Sequence, residues 1–399
     1  MIGHLLKLLW NKKCSYYGIF IEQALVSIIL MFCMVSLTDA VKKYHSPGLL
    51  DTDNTLLIGY MFHRRGGTPD VYKDAAQSMT VIIDNLRKLP FVEFISNSNN
   101  LIPYMKSSDS YSTSMGDSIT VDGKRFKTVI KISDEFGGSA FKVDMEEGHW
   151  LENRPMEDGT VPTVITRQFA DKVGWDVSVG KKITATFRTF TVVGVVSGLK
   201  EQAFDPSPVA LVVPSYLFGG IGMFDVYSEN VARIKPGKQS DFYDAFDNEF
   251  KRLMPSDKDV ESLLYDIQGP KGIFMSEPIL NLIVQGLPTF FLFLFAFIGT
   301  FGLYWLYSRK RQQEFALRIA LGSTPKQLTY FVLFESLLVT AFAILPALLL
   351  SVFIYEYTTV HIIAVSITVA IMLLFSIISA WYPAWKVSRV NPAEALQYE

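Results

Sequence analysis

The sequence predicts an integral membrane protein with four transmembrane α-helices and a large mixed α+β extracytoplasmic domain inserted between helices 1 and 2. Its 399 residues are 49% hydrophobic, with a mean hydropathy of +0.24. This is too apolar for an ordinary soluble protein and too polar for membrane spans alone. The apolar residues are concentrated in four runs of about 20 residues, the length that crosses about 30 Å of hydrocarbon. A block between the first two runs holds 27 of the 37 Lys and Arg and 33 of the 39 Asp and Glu.

These runs divide the chain into nine segments. The predicted spans are residues 18–38, 278–307, 328–355 and 362–382. The second is predicted to include a stalk, because 30 helical residues extend about 45 Å and exceed the hydrocarbon thickness. The remaining segments are the N-terminal segment 1–17, the core domain 39–277 with two predicted subdomains, the elbow 308–327, the short outer loop 356–361 and the tail 383–399.

The charge distribution predicts the orientation. All ten Lys and Arg outside the core domain lie before the first span, between the second and third, or after the fourth. The positive-inside rule therefore places both termini and the elbow in the cytoplasm, with the core domain outside. The first apolar run is longer than a usual signal-peptide core, and Thr38-Asp39-Ala40 is a poor cleavage site, so we predict an uncleaved anchor.

The core domain shows both helical and strand patterns. Apolar residues recur at spacings of three and four from Asp70 to Leu89, which predicts an amphipathic helix ended by Pro90. A second helix is predicted over 240–253, where Phe242, Phe246 and Phe250 share one face. Strand patterns cover residues 128–132, with Lys131 on the polar side, 161–166, and 183–196 with a turn near Arg188.

No cluster of residues carries enzymatic chemistry. The sequence has no His-Glu-x-x-His or Gly-x-Ser-x-Gly motif and no Cys or His cluster with metal spacing. It also lacks the Gly-x-x-x-x-Gly-Lys-Ser/Thr loop that cradles phosphates. We therefore predict that this chain is not an enzyme and binds no cofactor or metal. Its net charge of −2 gives no indication of nucleic-acid binding.

Two carboxylates interrupt the apolar runs, Glu22 in the first and Glu335 in the third. Because a charge inside the membrane is costly, each is a functional candidate. Both lie near the predicted cytoplasmic boundary, where they can pair with Lys12, Lys13 or a basic residue of the elbow. A structural pairing, direct coupling to a partner and a proton relay all stay open at this stage.

The elbow carries the most specific pattern in the chain. Arg311, Glu314 and Arg318 are three and four residues apart, so they share a helix face near the membrane surface. The alternative is that this segment is only a basic loop that anchors the chain at the membrane surface.

Apolar and turn-forming residues complete the elbow. Phe315, Ile319 and Leu321 are predicted to supply apolar contacts. Gly322 then ends this helix, and Ser323-Thr324-Pro325 caps the next one with the proline at its first position. The pattern therefore predicts two helices joined by a tight turn.

The string from Arg309 to Glu335, RKRQQEFALRIALGSTPKQLTYFVLFE, resembles the signature of MacB/FtsX-type ABC permeases. In that family an Arg-x-x-Glu-x-x-x-Arg-x-x-x-Gly segment precedes the penultimate transmembrane helix. The C-terminal PAWKVSRVNPAEALQYE is similar to the family's closing tail. VPTVITRQFADKVGW, VGKKI, FTVVGVVSG and VALVVPSYL resemble its periplasmic core domain. The order of one span, an outer domain and three spans also matches, so the resemblance extends over essentially the whole chain.

The resemblance implies the permease subunit of an ABC transporter complex in the bacterial inner membrane. Such a subunit transmits the ATP-driven motion of a separate ATPase to the periplasmic domain. The implied use is export or extraction of a hydrophobic, lipid-linked or peptide client, or control of an extracytoplasmic partner. The alternative is a membrane-anchored extracytoplasmic sensor or adhesion protein that has no ATPase and does not need the elbow.

The resemblance also implies partners and contact residues. Two copies of the ATPase, which bind ATP and Mg²⁺, are expected together with a second copy of this chain or a related permease. Membrane lipid is a further partner, and a periplasmic or outer-membrane partner stays open. Glu314 and Arg318 are expected to pair with the ATPase or with each other. The predicted ATPase-coupling residues are Arg311, Glu314, Phe315, Arg318, Gly322 and Lys326.

Overall fold

A computed structural model describes residues 13–62, 69–104, 119–185, 188–218, 229–254, 260–356 and 358–389. The chain divides into two compact units, a globular unit of residues 43–278 and a membrane unit of residues 1–42 and 279–399. The described elements are, in order, α1 (Lys13–His45), β1 (Thr55–Phe62), α2 (Pro69–Leu86), β2 (Val92–Asn99), β3 (Ile119–Val121), β4 (Lys124–Phe126), β5 (Val129–Ser133), α3 (Gly137–Ala140), β6 (Met145–Gly148), β7 (Val161–Thr166), α4 (Arg167–Val173), β8 (Lys182–Ala185), β9 (Arg188–Val196), β10 (Ala210–Pro214), a 3-10 turn (Ser215–Phe218), β11 (Glu229–Ile234), α5 (Gln239–Leu253), β12 (Val260–Asp266), α6 (Gln268–Lys310), α7 (Gln312–Ala320), α8 (Pro325–Ile354) and α9 (Thr359–Val387).

The globular unit is built on a ten-stranded mixed sheet. Nine strands follow the order β12-β1-β11-β2-β5-β10-β7-β9-β6, and β8 pairs with β9. The pairs β5–β10 and β7–β9 are parallel, and the other pairs are antiparallel. All residues of the interior strands β7 and β10 are buried, as expected for strands covered on both faces.

Alternating side chains pack on opposite faces of this sheet. Leu56 and Ile58 contact the cluster formed by α2 and α5, whereas Leu57 belongs to the cluster on the other face. Toward the other edge of the sheet, Ile165 packs with α4, whereas Val164 belongs to the same cluster as Leu57. The sheet therefore separates two hydrophobic layers. The predicted division into two subdomains stays a prediction.

Most predicted elements of the globular unit are confirmed. Helix α2 ends at Leu86, one turn before Pro90, and all three phenylalanines of α5 are buried. Strand β7 has the predicted bounds. Strands β8 and β9 pair antiparallel and form the hairpin predicted near Arg188, although the turn residues 186–187 lie outside the described part of the chain.

The prediction that Lys131 lies on the polar side of its strand is wrong. Its side chain is 1% exposed, because β5 is an interior strand between β2 and β10. Its ammonium donates to the carbonyl of Asn100 at 2.6 Å. Burial lowers the pKa of Lys131, and the carboxylates of Glu201 and Glu229 oppose that shift.

Four described helices are long and apolar enough to span a membrane: Tyr17–His45, Gln268–Lys310, Pro325–Ile354 and Thr359–Val387. They correspond to the four predicted spans. Helix α6 begins ten residues before its predicted start, so its 43 residues extend about 65 Å. This length fits a helix that continues well beyond the hydrocarbon, as the predicted stalk requires.

The four spans share one interior in the membrane unit. Val26 of α1, Ala296 of α6, Ile344 of α8 and Met372 of α9 meet in one cluster. The interior also contains buried hydroxyl and amide side chains that hydrogen-bond within the bundle. They include Gln23, Ser27, Thr300, Ser336, Thr340 and Thr368.

Candidate functional site

Helix α7 ends in a Schellman motif. The amide of Gly322 donates to the carbonyl of Ile319, and the amide of Ser323 donates to the carbonyl of Arg318, both at 2.9 Å. Gly322 has φ of +100°, in the left-handed region that favours glycine. The predicted role of this glycine as the end of the helix is therefore confirmed.

A capping box starts α8 immediately afterwards. The hydroxyl of Thr324 accepts from the amide of Gln327 at 3.3 Å, and the amide of Thr324 donates to the Gln327 side chain at 3.0 Å. Pro325 occupies the first turn, as predicted. Only Gly322 and Ser323 separate the C-cap residue of α7, Leu321, from the N-cap residue of α8, Thr324. The elbow therefore has a defined bend.

Arg311 is the centre of an ion-pair cluster at the start of the elbow. Its Nη1 donates to Glu335 Oε2 of α8 at 2.6 Å, and its Nε and Nη2 donate to Glu314 at 3.0 and 3.2 Å. Arg318 Nη2 donates to Glu314 Oε1 at 2.8 Å. Two arginines and two carboxylates therefore form one connected network. The proposed pairing of Glu314 with Arg318, and of Glu335 with a basic residue of the elbow, is present in the structure.

Aromatic side chains enclose this cluster. The Arg311 guanidinium lies 5.0 Å from the ring centroid of Phe315 and 5.7 Å from that of Phe331, and Arg318 lies 4.7 Å from Phe331. Phe315 is itself buried and packs against residues of α8 and α9, namely Leu328, Val332, Ala384 and Val387. The elbow is thus attached to both helices.

The six predicted coupling residues occupy two different places. Arg311 and Phe315 are buried, and Glu314 and Arg318 are half-buried in the ion network. Only Gly322 and Lys326 lie on the exposed edge of the elbow.

Leu321 was predicted to supply an apolar contact, and its side chain is 79% exposed, so such a contact would have to be with a partner. Leu317, which the prediction omitted, is 54% exposed on the same helix. The sequence signal for this exposed pair is that both leucines fall on the polar side of an amphipathic helix.

Glu22 lies inside the membrane unit, against α6. Its Oε2 accepts from the hydroxyl of Thr300 at 3.1 Å. A Cβ placed on Gly299 would come within 2.4 Å of Glu22 Oε1, so the carboxylate occupies the space that this glycine leaves. The predicted partner Lys12 and the side chain of Lys13 lie outside the described residues.

Buried polar groups connect the ion network to α1. The Tyr304 hydroxyl lies near the carboxylate of Glu335 and near the side chains of Gln23 and Ser336. Gln23 Oε1 accepts from the hydroxyl of Thr340 at 2.7 Å. A hydrogen bond therefore links α1 to α8, the helix that carries Glu335.

In the globular unit, a buried lysine caps the C-terminal end of α1. The Lys200 ammonium donates to the carbonyls of Lys43 and Ser46, the second at 2.6 Å. A cation at this position complements the negative end of the helix dipole. Gly48, with φ of +103°, lies against Gly198, so close that a Cβ would meet the Gly198 backbone at 2.6 Å.

The N-terminal end of α6 is fixed to residues 51–53 of the globular unit. Gln268 Nε2 donates to the Thr52 carbonyl at 3.0 Å and to the Asp53 carboxylate at 2.9 Å. Arg233, buried in β11, donates to the carbonyls of Asp51 and Asp53 at 2.6 and 2.9 Å. Residues 51–53 therefore connect the sheet to the start of α6.

The described residues contain no group of three His, Cys, Asp or Glu side chains that could hold a metal ion. The acidic pair Glu146 and Glu147 instead binds Arg167, at 2.5 and 2.7 Å. Hydrogen bonds from Arg167 and from the Ser178 backbone lower the pKa of Glu147.

Two family models match this chain. One, the MacB-like periplasmic core domain, matches residues 25–243, which is more than half of the sequence. The other, the FtsX-like permease C-terminal domain, matches residues 287–392 and so includes the elbow. The chain belongs to the MacB/FtsX-like permease family. This family provides membrane components of ABC-type transporters, and the resemblance stated from the sequence is confirmed.

Solved structures with a similar fold have low sequence identity to this permease. The periplasmic region of MacB from Actinobacillus actinomycetemcomitans is 14% identical, with a TM-score of 0.39, and covers 56% of this chain and 94% of its own. The extracellular domain of the noncanonic ABC-type transporter YknZ from Gram-positive bacteria is 14% identical, with a TM-score of 0.34, and covers 53% and 100%. No curated protein matches the sequence. The family assignment therefore rests on the two family models.

Proposed function

We propose that this chain is the permease subunit that passes the motion of a separate ATPase from the elbow to the globular unit. The observation that carries the proposal is the Arg311 network, which attaches α7 to α8 through Glu335 while leaving one edge of the elbow exposed. A surface that receives force must be accessible, and it must also be firmly connected to the part that moves. The elbow has both properties.

The internal connections support transmission along the bundle. Because Phe315 packs against α8 and α9, a displacement of α7 has to displace both helices. The hydrogen bond between Thr340 of α8 and Gln23 extends the connection from α8 to α1. The ends of α1 and α6 are in turn fixed by Lys200 and Gln268 within the globular unit. Motion of these two helices would therefore reach the sheet through short polar contacts.

The exposed edge of the elbow is the proposed docking surface. It presents Leu317, Leu321 and Lys326, none of which supports the ion network. An exposed leucine that becomes buried at an interface contributes about 1.5–3 kcal/mol, which corresponds to tenfold or more in affinity. In this arrangement Arg311, Glu314 and Arg318 shape the elbow, and the two leucines contact the ATPase.

The proposal is tested by purifying the tagged chain in mild detergent and measuring the ATPase protein and activity that accompany it. Leu321→Asp should reduce the retained ATPase about tenfold, because it removes an interface leucine without touching an internal contact. Val177→Asp is the matched control, since Val177 is a similarly exposed aliphatic residue of the globular unit. It should retain the ATPase as the natural chain does.

Two outcomes would contradict the proposal. Equal retention by Leu321→Asp and Val177→Asp would remove the elbow as the docking surface. Recovery of the chain with no ATPase in any preparation would favour the membrane-anchored sensor or adhesion protein. Family membership argues against that alternative, because MacB/FtsX-like permeases are components of ABC-type transporters.

The complex that we propose contains two ATPase copies, which bind ATP and Mg²⁺, and two permease subunits. It lies in the bacterial inner membrane with the elbow in the cytoplasm, as the positive-inside rule indicates. The proposed use is extraction or export of a hydrophobic, lipid-linked or peptide client, or control of an extracytoplasmic partner.

A further inference from the structure

Four aromatic rings of α6 and α9 form a continuous stack at the elbow end of these helices. Trp305 lies nearly parallel to Tyr382, with 5.8 Å between ring centroids and 7° between ring planes. Tyr382 also stacks with Phe301 at 6.1 Å and with Trp385 at 6.2 Å. Trp and Tyr are enriched where membrane hydrocarbon meets the headgroups, so this stack marks one membrane interface.

Three cations lie on the rings of this stack. The Arg309 guanidinium is 5.2 Å from the Trp305 centroid, and the Lys386 ammonium is 4.7 Å from the same centroid. The Arg389 guanidinium is 4.6 Å from the Trp385 centroid. Each cation is exposed, and the aromatic faces hold the three charges near one another.

These cations differ from the arginines of the elbow in having no acidic partner among the described residues. Arg311 and Arg318 are neutralised by Glu314 and Glu335. Within the described part of the chain, no carboxylate forms an ion pair with Arg309, Lys386 or Arg389. The stack therefore carries a local charge of three that the described residues leave uncompensated.

An exposed apolar surface extends from this charge along both spans. Leu306 of α6 and Ile378 and Trp381 of α9 each expose more than half of their side chains. A ligand that matches this surface needs an anionic head and a long apolar part. Phospholipids with a net negative charge have both, and basic residues beside membrane spans attract them.

We propose that Arg309, Lys386 and Arg389 bind the phosphate of an anionic phospholipid, such as phosphatidylglycerol or cardiolipin. Guanidinium and ammonium groups donate hydrogen bonds to phosphate oxygens, and the acyl chains lie along Leu306, Ile378 and Trp381. The orientation proposed above places the lipid in the cytoplasmic leaflet. A second copy of this chain is disfavoured at the stack, because a twofold interface would bring the two sets of cations together.

Brominated lipids test the proposal, because bromine quenches only nearby tryptophans. Trp305, Trp381 and Trp385 are three of the six tryptophans in the chain, and all lie in or beside the stack. The full chain is reconstituted in phosphatidylcholine nanodiscs that contain a minor fraction of brominated phosphatidylglycerol or, separately, of brominated phosphatidylcholine. We expect the anionic lipid to be enriched about tenfold over the zwitterionic one at the stack, and high salt to reduce this preference.

Charge-matched variants locate the site. Arg309→Gln/Lys386→Gln/Arg389→Gln should abolish the preference for the anionic lipid. Lys73→Gln/Lys172→Gln/Lys181→Gln removes the same charge from exposed positions of the globular unit and should leave the preference unchanged. If the first triple variant fails to fold, the single variant Arg389→Gln and the salt titration of the natural chain provide the same comparison.

Three results would overturn the proposal. One is equal quenching by the two brominated lipids, and another is an equal loss of preference in both triple variants. The third is displacement of the anionic lipid by millimolar inorganic phosphate, which would make the stack a site for free phosphate. None of these measurements involves the ATPase, so the outcome is independent of the elbow's proposed role.

Discussion

Arg311 Nη1 donates to Glu335 Oε2 at 2.6 Å, although the two residues are 24 positions apart. Both lie at the elbow end of the bundle. Arg311 is 6% exposed and Glu335 is 3% exposed, so the pair is almost completely removed from solvent. Burial of two charges is costly, and such a pair is a weak source of net stability. Its geometry instead determines where α7 lies against α8.

Arg311→Met should therefore destabilise the chain strongly, by about 3–5 kcal/mol, because it removes the arginine that pairs with the buried Glu335 carboxylate. Arg311→Met/Glu335→Met should recover most of this loss, since an apolar pair can replace a buried ion pair at little cost. Thermal unfolding of the detergent-purified chain measures both variants. A double variant as unstable as Arg311→Met would show that the loss does not come from the buried carboxylate that has lost its arginine.

Gly322→Ala should loosen the elbow, because alanine is strained at a φ of +100°. The expected cost is about 1–2 kcal/mol, with a smaller cost for Gly322→Asn, since asparagine tolerates the left-handed region. Hydrogen exchange of the Gly322 and Ser323 amides reports the loss directly. Gly302→Ala is the control, because its added Cβ would have no neighbour within 4 Å. Equal exchange in all variants would contradict the prediction.

The local parts of this structure follow from the sequence more completely than the distant contacts do. The elbow and its two caps depend on residues within ten positions, so the spacing of Gly322, Thr324 and Pro325 predicts them. The burial of Lys131 depends on which strands flank β5, and β10 lies about 80 residues further along the chain. Likewise, no local pattern indicates that Trp305 stacks on Tyr382 or that Lys200 caps α1. Such contacts require the packing of distant segments, which periodicity does not specify.

Gly299→Ala should displace the carboxylate of Glu22, because the new Cβ would lie 2.4 Å from Glu22 Oε1. Glu22 would then lose its hydrogen bond from Thr300, and such a bond contributes about 0.5–1.5 kcal/mol. Gly286→Ala, on the same helix and with open space around its Cβ, should have little effect.

A double variant isolates the cause of the Gly299 effect. In a Glu22→Ala background the added methyl group has room, so Gly299→Ala should cause no further loss of thermal stability. A full loss in that background would assign the effect to another contact of α6.

Lys200→Met should weaken the attachment of α1 within the globular unit. The Ser46 carbonyl loses its buried donor, at a cost of about 1–3 kcal/mol, whereas the Lys43 carbonyl still accepts from the Ser46 hydroxyl at 2.8 Å. Lys235→Met is the matched control, because Lys235 also donates to a backbone carbonyl, that of Pro90, but is exposed. Hydrogen exchange over residues 43–48 and chemical denaturation should both separate the two variants. Equal effects would show that burial of the Lys200 ammonium is unimportant.

The acid sensitivity of the globular unit should depend in part on Asp158. Its carboxylate accepts from the hydroxyl and amide of Thr160 at 2.6 and 3.0 Å and from Lys182 Nζ at 2.9 Å. These bonds lower the pKa of Asp158 from 3.8 to about 2. Because the folded-state pKa is depressed, the stabilisation is complete above pH 3.8 and disappears as the pH falls toward 2.

Asp158→Asn should therefore be less stable than the natural chain at neutral pH, and the difference between the two should vanish between pH 3.8 and about 2. Unfolding measured in pH steps provides this comparison. Asp171→Asn is the control, since Asp171 is exposed and forms no hydrogen bond or ion pair with the described residues. A stability difference for Asp158→Asn that is independent of pH would mean that the carboxylate acts through its shape and not through its charge.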